Sequence, residues 1–244
     1  MHKISIITAT YNNATTIADT IKSLEEQTAG FEWVIQDAQS KDGTLEMIQN
    51  SSLSSNILSE KDNGLYDALN RAIERCTADI IGLCHADDML ASEDVLQTIQ
   101  AYFEANPTCQ AVYLDLEYWN ETFTKRIRQW VSGKAENMVF GWMPPHPTVF
   151  VRKSVFETVG NYRTDIGSAA DFEWMLRAIK TNKIPFHYIP KLAVKMRVGG
   201  MSSSGLKSRI EAFKGDYKAW TLNGYRLPIF QVGIKKLRKI SQFF

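Results

Sequence analysis

The sequence predicts an α/β protein: a three-layer sandwich with a mainly parallel central sheet, followed by C-terminal helices. In the first 106 residues, four short apolar runs rich in β-branched residues alternate with four amphipathic segments. This order is typical of parallel strands that are buried on both faces and covered by helices. The chain has 244 residues, of which 44% are hydrophobic and 11% aromatic, which suffices for one large domain or two small ones.

The four apolar runs of the first half predict strands at residues 3–10, 32–36, 57–59 and 79–84. A helix is predicted after each of them. Thr15 or Thr16 is suited to cap the first helix, a turn at residues 41–44 begins the second, and Ser92 is suited to cap the fourth. Apolar residues at helical spacing define the buried faces: Ile17, Ile21 and Leu24; Leu65, Leu69, Ala72 and Ile73; Val95, Leu96, Ile99 and Phe103.

Beyond Pro107 the alternation is less regular. Strands are predicted at residues 111–118, 123–130, 148–152 and 192–198. Ser154 is suited to cap a short helix that ends at Gly160, and a second helix begins near Asp171. Two helices, at about residues 206–222 and 228–243, complete the chain.

The charge is distributed unevenly along the chain. Residues 1–120 contain 6 Lys and Arg against 19 Asp and Glu, whereas residues 121–244 contain 22 against 8. An acidic half and a basic half suggest that each binds a different partner, or that two solvated faces pair across a domain interface.

The three cysteines lack metal-ligand spacing, which suits buried thiols in a reducing compartment. No apolar run approaches the length of a membrane span, and the N-terminus shows no signal region, so we expect a cytoplasmic protein.

Polar and acidic residues follow the predicted parallel strands. Ligands of open α/β sheets bind beyond the C-terminal ends of the strands. That rule brings residues 8–12, Asp37, residues 62–64 and the pair Asp87 and Asp88 to one rim. Because an acidic rim repels phosphate unless a divalent cation bridges the two, the sequence predicts a metal-dependent site for a nucleotide diphosphate.

The motifs at this rim resemble those of family 2 glycosyltransferases. The resemblance extends over residues 3–205, in the family's order and spacing. Its motifs are residues 6–12 (IITATYN), 37–44 (DAQSKDGT), 60–70 (EKDNGLYDALN), 86–88 (ADD), 147–152 (PTVFVR), 169–171 (AAD) and 199–202 (GGMS). It implies a GT-A fold, inversion of configuration, and a nucleotide-diphosphate sugar donor used with Mn²⁺ or Mg²⁺.

By this resemblance, Thr8, Ala9, Thr10, Tyr11 and Asn12 line the base and ribose of the donor. A plain strand-to-helix turn is the alternative. An Asp at the position of Asp37 accepts a hydrogen bond from the base N3–H in the family. Ala38 and Gln39 depart modestly from the usual motif there.

Four residues of the third motif are also candidates for donor binding. Asp62 and Gly64 would contact the donor or form a simple turn. Asp67 and Asn70 lie about one helical turn apart, so one helix face would present both to the nucleotide or sugar. A polar surface pair is the alternative.

The resemblance assigns the metal and the catalytic base to carboxylates. Asp88 would bind the metal directly, and Asp87 would reach the ribose or the water shell of the metal. Asp171 corresponds to the general base that takes the proton of the acceptor hydroxyl. A helix-capping role is the alternative for Asp171, and Asp165 is the rival base.

Two further residues are assigned on weaker patterns. His146 lies in a proline-rich loop where many relatives have a histidine near the donor sugar or acceptor; an ordinary loop histidine is the alternative. Arg197 stands beside Gly199 and Gly200, where it would hold the diphosphate.

The resulting prediction is an inverting glycosyltransferase that moves a sugar from a nucleotide-diphosphate donor, with UDP favoured, to a carbohydrate acceptor. The implied context is bacterial surface polysaccharide synthesis on a lipid-linked acceptor. A metal-dependent nucleotidyltransferase and a non-catalytic sugar-nucleotide-binding module are the alternatives. Residues 1–205 would form the catalytic domain, with a nucleotide-binding half (1–106) and an acceptor-binding half (107–205).

Residues 206–244 would form a basic helical extension. Within residues 228–244, Ile234, Leu237 and Ile240 recur at helical spacing, and basic residues stand between them. A basic helix with an apolar stripe suits the anionic surface of a membrane. Packing of the stripe on the catalytic domain or on a second copy is the alternative, and no nucleic acid partner is expected.

Overall fold

The computed structural model describes residues 3–199, 206–226, 228 and 231–233. Within these residues the helices are α1 (Ile17–Glu25), α2 (Thr44–Gln49), α3 (Leu65–Arg75), α4 (Val95–Ala105), α5 (Lys153–Val159), α6 (Ala170–Leu176) and α7 (Leu206–Leu222). The strands are β1 (Ile4–Thr10), β2 (Glu32–Asp37), β3 (Ser55–Ser59), β4 (Ile80–Leu83), β5 (Met89–Leu90), β6 (Ala111–Trp119), β7 (Arg126–Trp130), β8 (Phe150–Arg152) and β9 (Phe186–Arg197).

All of these strands join one mixed sheet in the order β3-β2-β1-β4-β8-β6-β9-β5, with β7 paired to β6. Strands β3, β2, β1 and β4 are parallel, as predicted. The longest ladder joins β6 and β9, which are also parallel, whereas β8, β5 and β7 pair antiparallel with their neighbours. The C-terminal ends of β1 to β4 therefore lie along one edge of the sheet.

Helices cover both faces of the sheet. One apolar cluster takes side chains from α3, α5, α6 and α7, including Leu69, Phe156, Phe172 and Trp220. The other contains the predicted stripes of α1 and α4. These two cores confirm the predicted three-layer α/β fold with a mainly parallel central sheet and C-terminal helices.

Several element boundaries differ from the sequence-based prediction. Strand β9 begins at Phe186, six residues earlier than predicted, because its ladder with β6 continues past Pro190. Helix α4 begins at Val95 with Asp94 at its N-cap, and the Ser92 hydroxyl donates to Asp94 instead of capping the helix. Thr148 lies in a 3₁₀ turn before β8 rather than in the strand.

The short strand β5 was not predicted, since two residues carry no periodic signal.

The first C-terminal helix, α7, has the predicted bounds. It packs on the turn before α6: a Cβ built on Gly215 would lie 2.9 Å from both the Ala169 Cβ and the Ile166 carbonyl oxygen. The predicted helix at residues 228–243 and the motif at 200–202 lie outside the described residues, except for Pro228 and residues 231–233. Of these, Pro228 and Val232 are buried.

The three cysteines Cys76, Cys84 and Cys109 are buried free thiols, as predicted. In the part of the chain that the structure describes, none of the helices combines the length and the apolar character that crossing a membrane requires.

Candidate active site

The predicted rim exists at the C-terminal edge of the parallel strands. Thr10 pairs with Asp37 across β1 and β2, and Asp37 pairs with Ser59 across β2 and β3. Beyond the strands, the Asn12 N–H donates to Ser40 Oγ at 2.9 Å. Strand β4 lies on the other side of β1 and runs parallel to it, so residues 85–88 also emerge at this edge.

The two threonines of the first segment use their hydroxyls inside the protein. Thr8 is fully buried; its hydroxyl donates to the Cys84 carbonyl at 2.7 Å and accepts from the Trp33 indole at 2.9 Å. The Thr10 hydroxyl donates to Asn13 Oδ1 at 3.0 Å. For these two residues, the backbone is the part that a ligand at the rim can contact.

Tyr11 and Asn12 form the exposed part of this segment. The Tyr11 side chain is 61% exposed. Asn12 has a left-handed backbone with φ of 52°, a conformation that Asn tolerates better than most residues. Ala9, on the strand before them, is half-buried. An exposed aromatic ring at the rim provides a stacking surface for a flat ligand group.

Asp37 is fully buried at the end of β2. Its carboxylate accepts hydrogen bonds from the Ser40 N–H (3.0 Å), the Ser40 hydroxyl (2.5 Å) and the Ser59 hydroxyl (2.6 Å). A carboxylate offers about four acceptor sites, so these three donors fix its orientation and leave room for one further donor.

The segment before α3 is shaped by local hydrogen bonds. Asp62 accepts from the Gly64 N–H at 2.9 Å, and Gly64 has φ of 106° and ψ of 176°, a region reserved for glycine. Asp67 accepts from the Asn63 N–H at 2.9 Å and pairs with Arg71, and both contacts hold the pKa of Asp67 below its ordinary value.

Asn70 uses both ends of its amide group within the protein. Its Nδ2 donates to the Tyr162 carbonyl and its Oδ1 accepts from the Tyr162 N–H, each at 2.9 Å. Asn70 therefore joins α3 to the loop before α6, and its side chain is already engaged where the sequence predicted a nucleotide contact.

Asp87 and Asp88 end the apolar strand β4 as predicted. Asp88 is 1% exposed; its Oδ1 accepts from the Arg197 N–H at 3.3 Å, and its buried Oδ2 has no hydrogen-bond partner among the described residues. Burial raises the pKa of Asp88 well above its ordinary value, and the charge of Asp87 adds to this effect. Asp87 is less deeply buried.

A buried carboxylate oxygen without a partner is costly, and a divalent cation would compensate it. Among the residues that the structure describes, no three His, Cys, Asp or Glu side chains form a group able to hold a metal ion. Magnesium-type ions are commonly held by one or two carboxylates together with substrate phosphates. Asp87 and Asp88 fit such a site, and direct contact of Asp88 with the metal stays a prediction.

Arg197 lies beside this acidic pair at the end of β9. Its guanidinium pairs with Asp19 at 2.7 Å, and its Nε donates to the Asp87 carbonyl at 3.3 Å. It also stacks on Phe123, 4.4 Å from the ring centroid. The guanidinium is thus held next to the place where a diphosphate would meet the acidic pair.

Asp171 is the second residue of α6, and Ala169 occupies the N-cap position. Its Oδ1 accepts from the Phe172 N–H at 2.6 Å. Burial raises the pKa of the Tyr66 hydroxyl on α3, and the charge of Asp171 raises it further, so Asp171 acts electrostatically on Tyr66. Asp171 is not the N-cap residue, but its place in the first turn of α6 leaves the alternative of a partner for the helix dipole open.

The Tyr118 hydroxyl is influenced by both Asp88 and Asp171. Burial raises the pKa of its hydroxyl, and the charges of Asp88 and Asp171 raise it further, whereas Arg128 lowers it. The Arg128 guanidinium stacks on the Tyr118 ring, 4.1 Å from its centroid. Both carboxylates act electrostatically on this one hydroxyl group, although they are 83 positions apart in sequence.

Asp165, the rival base, is placed differently. Its carboxylate is 48% exposed and pairs with Arg163 and Lys218, at 2.9 and 2.8 Å. These two cations hold the pKa of Asp165 far below its ordinary range. A carboxylate with so low a pKa is a poor proton acceptor.

His146 is buried beside Tyr162. Its Nε2 lies 3.0 Å from the Tyr162 hydroxyl, and its ring packs edge-to-face on the Tyr162 ring. Burial, with a smaller effect from His85, lowers the pKa of His146 to about 3. The His146 side chain is therefore neutral, and in that form it supports Tyr162.

The sequence of residues 5–160 matches the profile described as "Glycosyl transferase family 2". The chain belongs to this family. A PGL/p-HBAD biosynthesis glycosyltransferase of Mycobacterium bovis (strain BCG / Pasteur 1173P2) is 27% identical over 207 residues, which cover 82% of this chain and 79% of that protein.

Two solved glycosyltransferase structures share the fold of this chain. S. aureus TarS has a TM-score of 0.68 and 16% identity over 95% of this chain, which spans only 42% of the TarS chain. The mannosyltransferase PcManGT from Pyrobaculum calidifontis, solved with GDP-Man and Mn²⁺, has a TM-score of 0.67 and 17% identity over 96% of this chain and 68% of that one.

The family prediction is confirmed, whereas the role of each family 2 site residue stays a prediction. The structure brings Asp37, residues 62–64, the pair Asp87 and Asp88, and Arg197 to one rim. Sequence reasoning missed Tyr66, Tyr118 and Tyr162. A signal for Tyr66 was present, because it lies one helical turn before Asn70 in the motif at residues 60–70.

Proposed function

We propose that this chain is an inverting glycosyltransferase that moves a sugar from a nucleotide-diphosphate sugar to a hydroxyl group of a carbohydrate acceptor. The observation that carries the proposal is that two carboxylates in unlike surroundings act on the same hydroxyl group, that of Tyr118. Asp88 has a buried oxygen without a partner among the described residues, which suits a metal, and the Asp171 carboxylate accepts a hydrogen bond from the Phe172 N–H that orients it, which suits a base. Both act electrostatically on Tyr118.

The donor would bind along the rim, with UDP as the favoured nucleotide. Asp37 has room for one more donor, such as the N3–H of uracil, and Tyr11 offers an exposed ring for stacking. TarS residues 1–349 were solved in complex with UDP-GlcNAc, with a TM-score of 0.65 and 15% identity over 96% of this chain and 70% of that one. PcManGT was solved with GDP-Man; both ligands are nucleotide-diphosphate sugars.

The metal would be Mn²⁺ or Mg²⁺, held by Asp87 and Asp88 together with the diphosphate. Bound there, it would stabilise the negative charge of the departing nucleotide diphosphate. Arg197 would add a positive charge next to the same group. The Mn²⁺ in the PcManGT structure supports the use of a divalent metal.

Asp171 would act as the general base. The acceptor oxygen forms a bond to the anomeric carbon while the bond from that carbon to the diphosphate breaks. The hydroxyl proton passes to the Asp171 carboxylate, and the nucleotide diphosphate leaves. Attack from the face opposite the leaving group inverts the anomeric configuration. Asp165 is excluded from this role in our proposal by its two cation partners.

For the acceptor, we propose a lipid-linked carbohydrate of bacterial surface polysaccharide synthesis at the inner face of the cytoplasmic membrane. Lys235, Lys236, Arg238 and Lys239 form a basic run that would bind anionic lipid. Replacing these four with Gln, which leaves the buried Val232 in place, should abolish sedimentation with anionic liposomes. Unchanged sedimentation would refute the membrane role and favour packing on protein.

Donor cleavage without an added acceptor tests the proposed reaction. UDP-, GDP- and dTDP-sugars are incubated with the protein and Mn²⁺, with and without a chelator. We expect slow release of the nucleoside diphosphate that the chelator stops. Release of nucleoside monophosphate would instead indicate nucleotidyl chemistry, and donor binding without cleavage, even with added acceptors, would indicate a binding module.

A further inference from the structure

We propose that Arg128 binds a phosphate group of the acceptor, which makes the acceptor a phosphorylated carbohydrate. The proposal rests on the proposed glycosyl transfer, because it names the acceptor of that reaction. Arg128 lies on β7, in the predicted acceptor-binding half. Its guanidinium contacts two aromatic rings, on a hairpin that lies next to the acidic pair.

The two aromatic rings orient the Arg128 guanidinium. Its central carbon lies 4.1 Å from the centroid of the Tyr118 ring and 5.7 Å from that of the Trp130 ring, and the Arg128 side chain is half-buried. Stacking on rings fixes the plane of a guanidinium, whose N–H fork matches two oxygens of a phosphate. With five N–H donors, the group can bind a phosphate in addition to its contacts within the protein.

A β-bulge separates the two arginines of β7. In the ladder with β6, Arg126 pairs with Trp119, and Arg128 pairs with the preceding residue, Tyr118. The Arg126 guanidinium forms an ion pair of 2.7 Å with Glu117, whereas that of Arg128 contacts Tyr118. Because the consecutive residues Glu117 and Tyr118 point to opposite faces of a strand, the two arginines lie on opposite faces of the hairpin. Bulges next to active sites commonly re-aim a side chain in this way.

The sheet fixes the position of Arg128 relative to the acidic pair. Asp88 Oδ1 accepts from the Arg197 N–H on β9, and Arg197 pairs with Trp119 on β6. Strand β7 lies on the other side of β6. Since neighbouring strands are about 4.8 Å apart, the backbone of Arg128 lies about 10 Å from that of Arg197. A phosphate at Arg128 is therefore a different group from the donor diphosphate proposed to lie beside Arg197.

Electrostatics also connect this surface with the proposed reaction. Burial raises the pKa of the Tyr118 hydroxyl, Arg128 lowers it, and the charges of Asp88 and Asp171 raise it. The ring that contacts Arg128 is therefore within electrostatic reach of both the proposed metal ligand and the proposed base.

The charge of the hairpin suits an anionic acceptor. Residues 121–134 contain four basic residues and one acidic residue, whereas the rim that would bind the donor is acidic. Without a metal, the rim repels phosphate, and the hairpin attracts it. An acceptor that carries phosphate would thus explain why the acceptor-binding half is basic and the donor-binding half acidic.

Binding of geranyl phosphate, a soluble lipid phosphate, tests this site without any reaction. The full chain is titrated calorimetrically in the presence of a chelator, so that no metal holds the phosphate at the acidic pair. We expect Arg128→Met to weaken binding at least ~10-fold, because it removes charge-assisted hydrogen bonds. Arg128→Lys should also bind more weakly than the wild type, since Lys keeps the charge but lacks the fork; it decides the question if Arg128→Met does not fold.

Arg126→Met is the matched control. It removes the same type of side chain from the same strand but from the opposite face, where Arg126 pairs with Glu117, so geranyl phosphate should bind as it does to the wild type. Geraniol, which lacks the phosphate, and geranate, which carries a carboxylate instead, should both bind more weakly than geranyl phosphate. Sedimentation with vesicles of phosphatidylglycerol and phosphatidylcholine should be the same for Arg128→Met and the wild type.

Four results would overturn the inference. They are wild-type binding of geranyl phosphate by Arg128→Met or Arg128→Lys, an equal loss in Arg126→Met, a loss in Arg197→Gln without one in Arg128→Met, and geranate binding as tight as that of geranyl phosphate. Loss of vesicle sedimentation in Arg128→Met would assign the site to membrane lipid and overturn the acceptor role.

The proposed function fails separately. If the chain cleaves no nucleotide-diphosphate sugar, glycosyl transfer is refuted whatever the titration shows, and Arg128 is then a phosphate site without an acceptor role. If donor cleavage occurs but Arg128→Met binds geranyl phosphate normally, the proposed function stands and only this inference is lost.

Discussion

The side chain of Asn70 forms two hydrogen bonds with the backbone of Tyr162, one to its carbonyl and one from its N–H, each 2.9 Å long. The two residues belong to different parts of the chain, α3 and the loop before α6. The Asn70 side chain therefore joins these two elements close to Asp171 in the fold.

This relationship predicts the effect of Asn70→Ala. Two hydrogen bonds contribute about 1 kcal/mol each, so the free energy of unfolding should fall by about 1–3 kcal/mol. Nucleotide affinity should stay close to that of the wild type, because the side chain is engaged elsewhere. Urea unfolding and UDP titration measure both quantities. Asn161→Ala, at an exposed position of the same loop, is the control. Weak UDP binding by a stable Asn70→Ala protein would instead support the predicted contact between Asn70 and the nucleotide.

Gly215 is predicted to tolerate no side chain. In helix interiors, Gly→Ala usually stabilises by about 1 kcal/mol. At Gly215 the added Cβ would lie 2.9 Å from the Ala169 Cβ and the Ile166 carbonyl, so Gly215→Ala should destabilise by about 1–3 kcal/mol. It should also lower activity, since that turn leads into α6. Gly233, whose added Cβ would have no atom of the described residues within 4 Å, is the control for thermal unfolding; equal gains in stability at both glycines would contradict the packing of α7.

The pH dependence of the free energy of unfolding should reflect the protonation of His146. Its pKa is about 3 in the folded protein and about 6.5 when unfolded. The unfolded state therefore binds one proton more between these values, and stability falls as pH decreases from about 6.5 towards 3. Replacing His146 with Gln should reduce this slope by about one proton. Unfolding free energies at pH 4–8 measure the slope, and an unchanged slope would mean that His146 is protonated in the folded state.

The acidic pair predicts a loss of metal binding for both residues and, for Asp88, a gain in stability without metal. Asp87→Asn and Asp88→Asn should each weaken Mn²⁺ binding in the presence of UDP, because each removes one charged ligand. Removing the buried charge of Asp88 should in addition stabilise the protein without metal, since burial and the charge of Asp87 disfavour that charge and its Oδ2 has no partner among the described residues. Calorimetric titration with Mn²⁺ and UDP checks the first effect and thermal unfolding in chelator the second. Normal Mn²⁺ affinity in both variants would place the metal elsewhere.

The sequence was sufficient for the parts of the molecule that local patterns determine. Buried parallel strands are continuous apolar runs, so β1 and β4 were predicted within one residue at each end. The rim followed from the rule that ligands bind where such strands end, which identified Asp37 and Asp88.

What could not be predicted depends on contacts between distant residues. Pro190 interrupts the strand pattern of β9, and only the ladder with β6 shows that the strand continues. The charge of Asp171 acts on Tyr66, which lies 105 positions away in sequence, and no local signal marks either as a partner of the other. For the same reason, Asn70 was correctly placed on the helix face of Asp67, but its partner was not identified.

The most direct test of the central claim compares Asp171→Asn with Asp165→Asn in donor cleavage with Mn²⁺. The amide keeps the shape of the side chain but accepts no proton at working pH. The account predicts that Asp171→Asn binds the donor with near-normal affinity and loses about 10²–10⁴-fold in kcat. Asp165→Asn, whose carboxylate is held by Arg163 and Lys218, should retain kcat. A folded Asp171→Asn protein with wild-type kcat, or a loss confined to Asp165→Asn, would contradict the account.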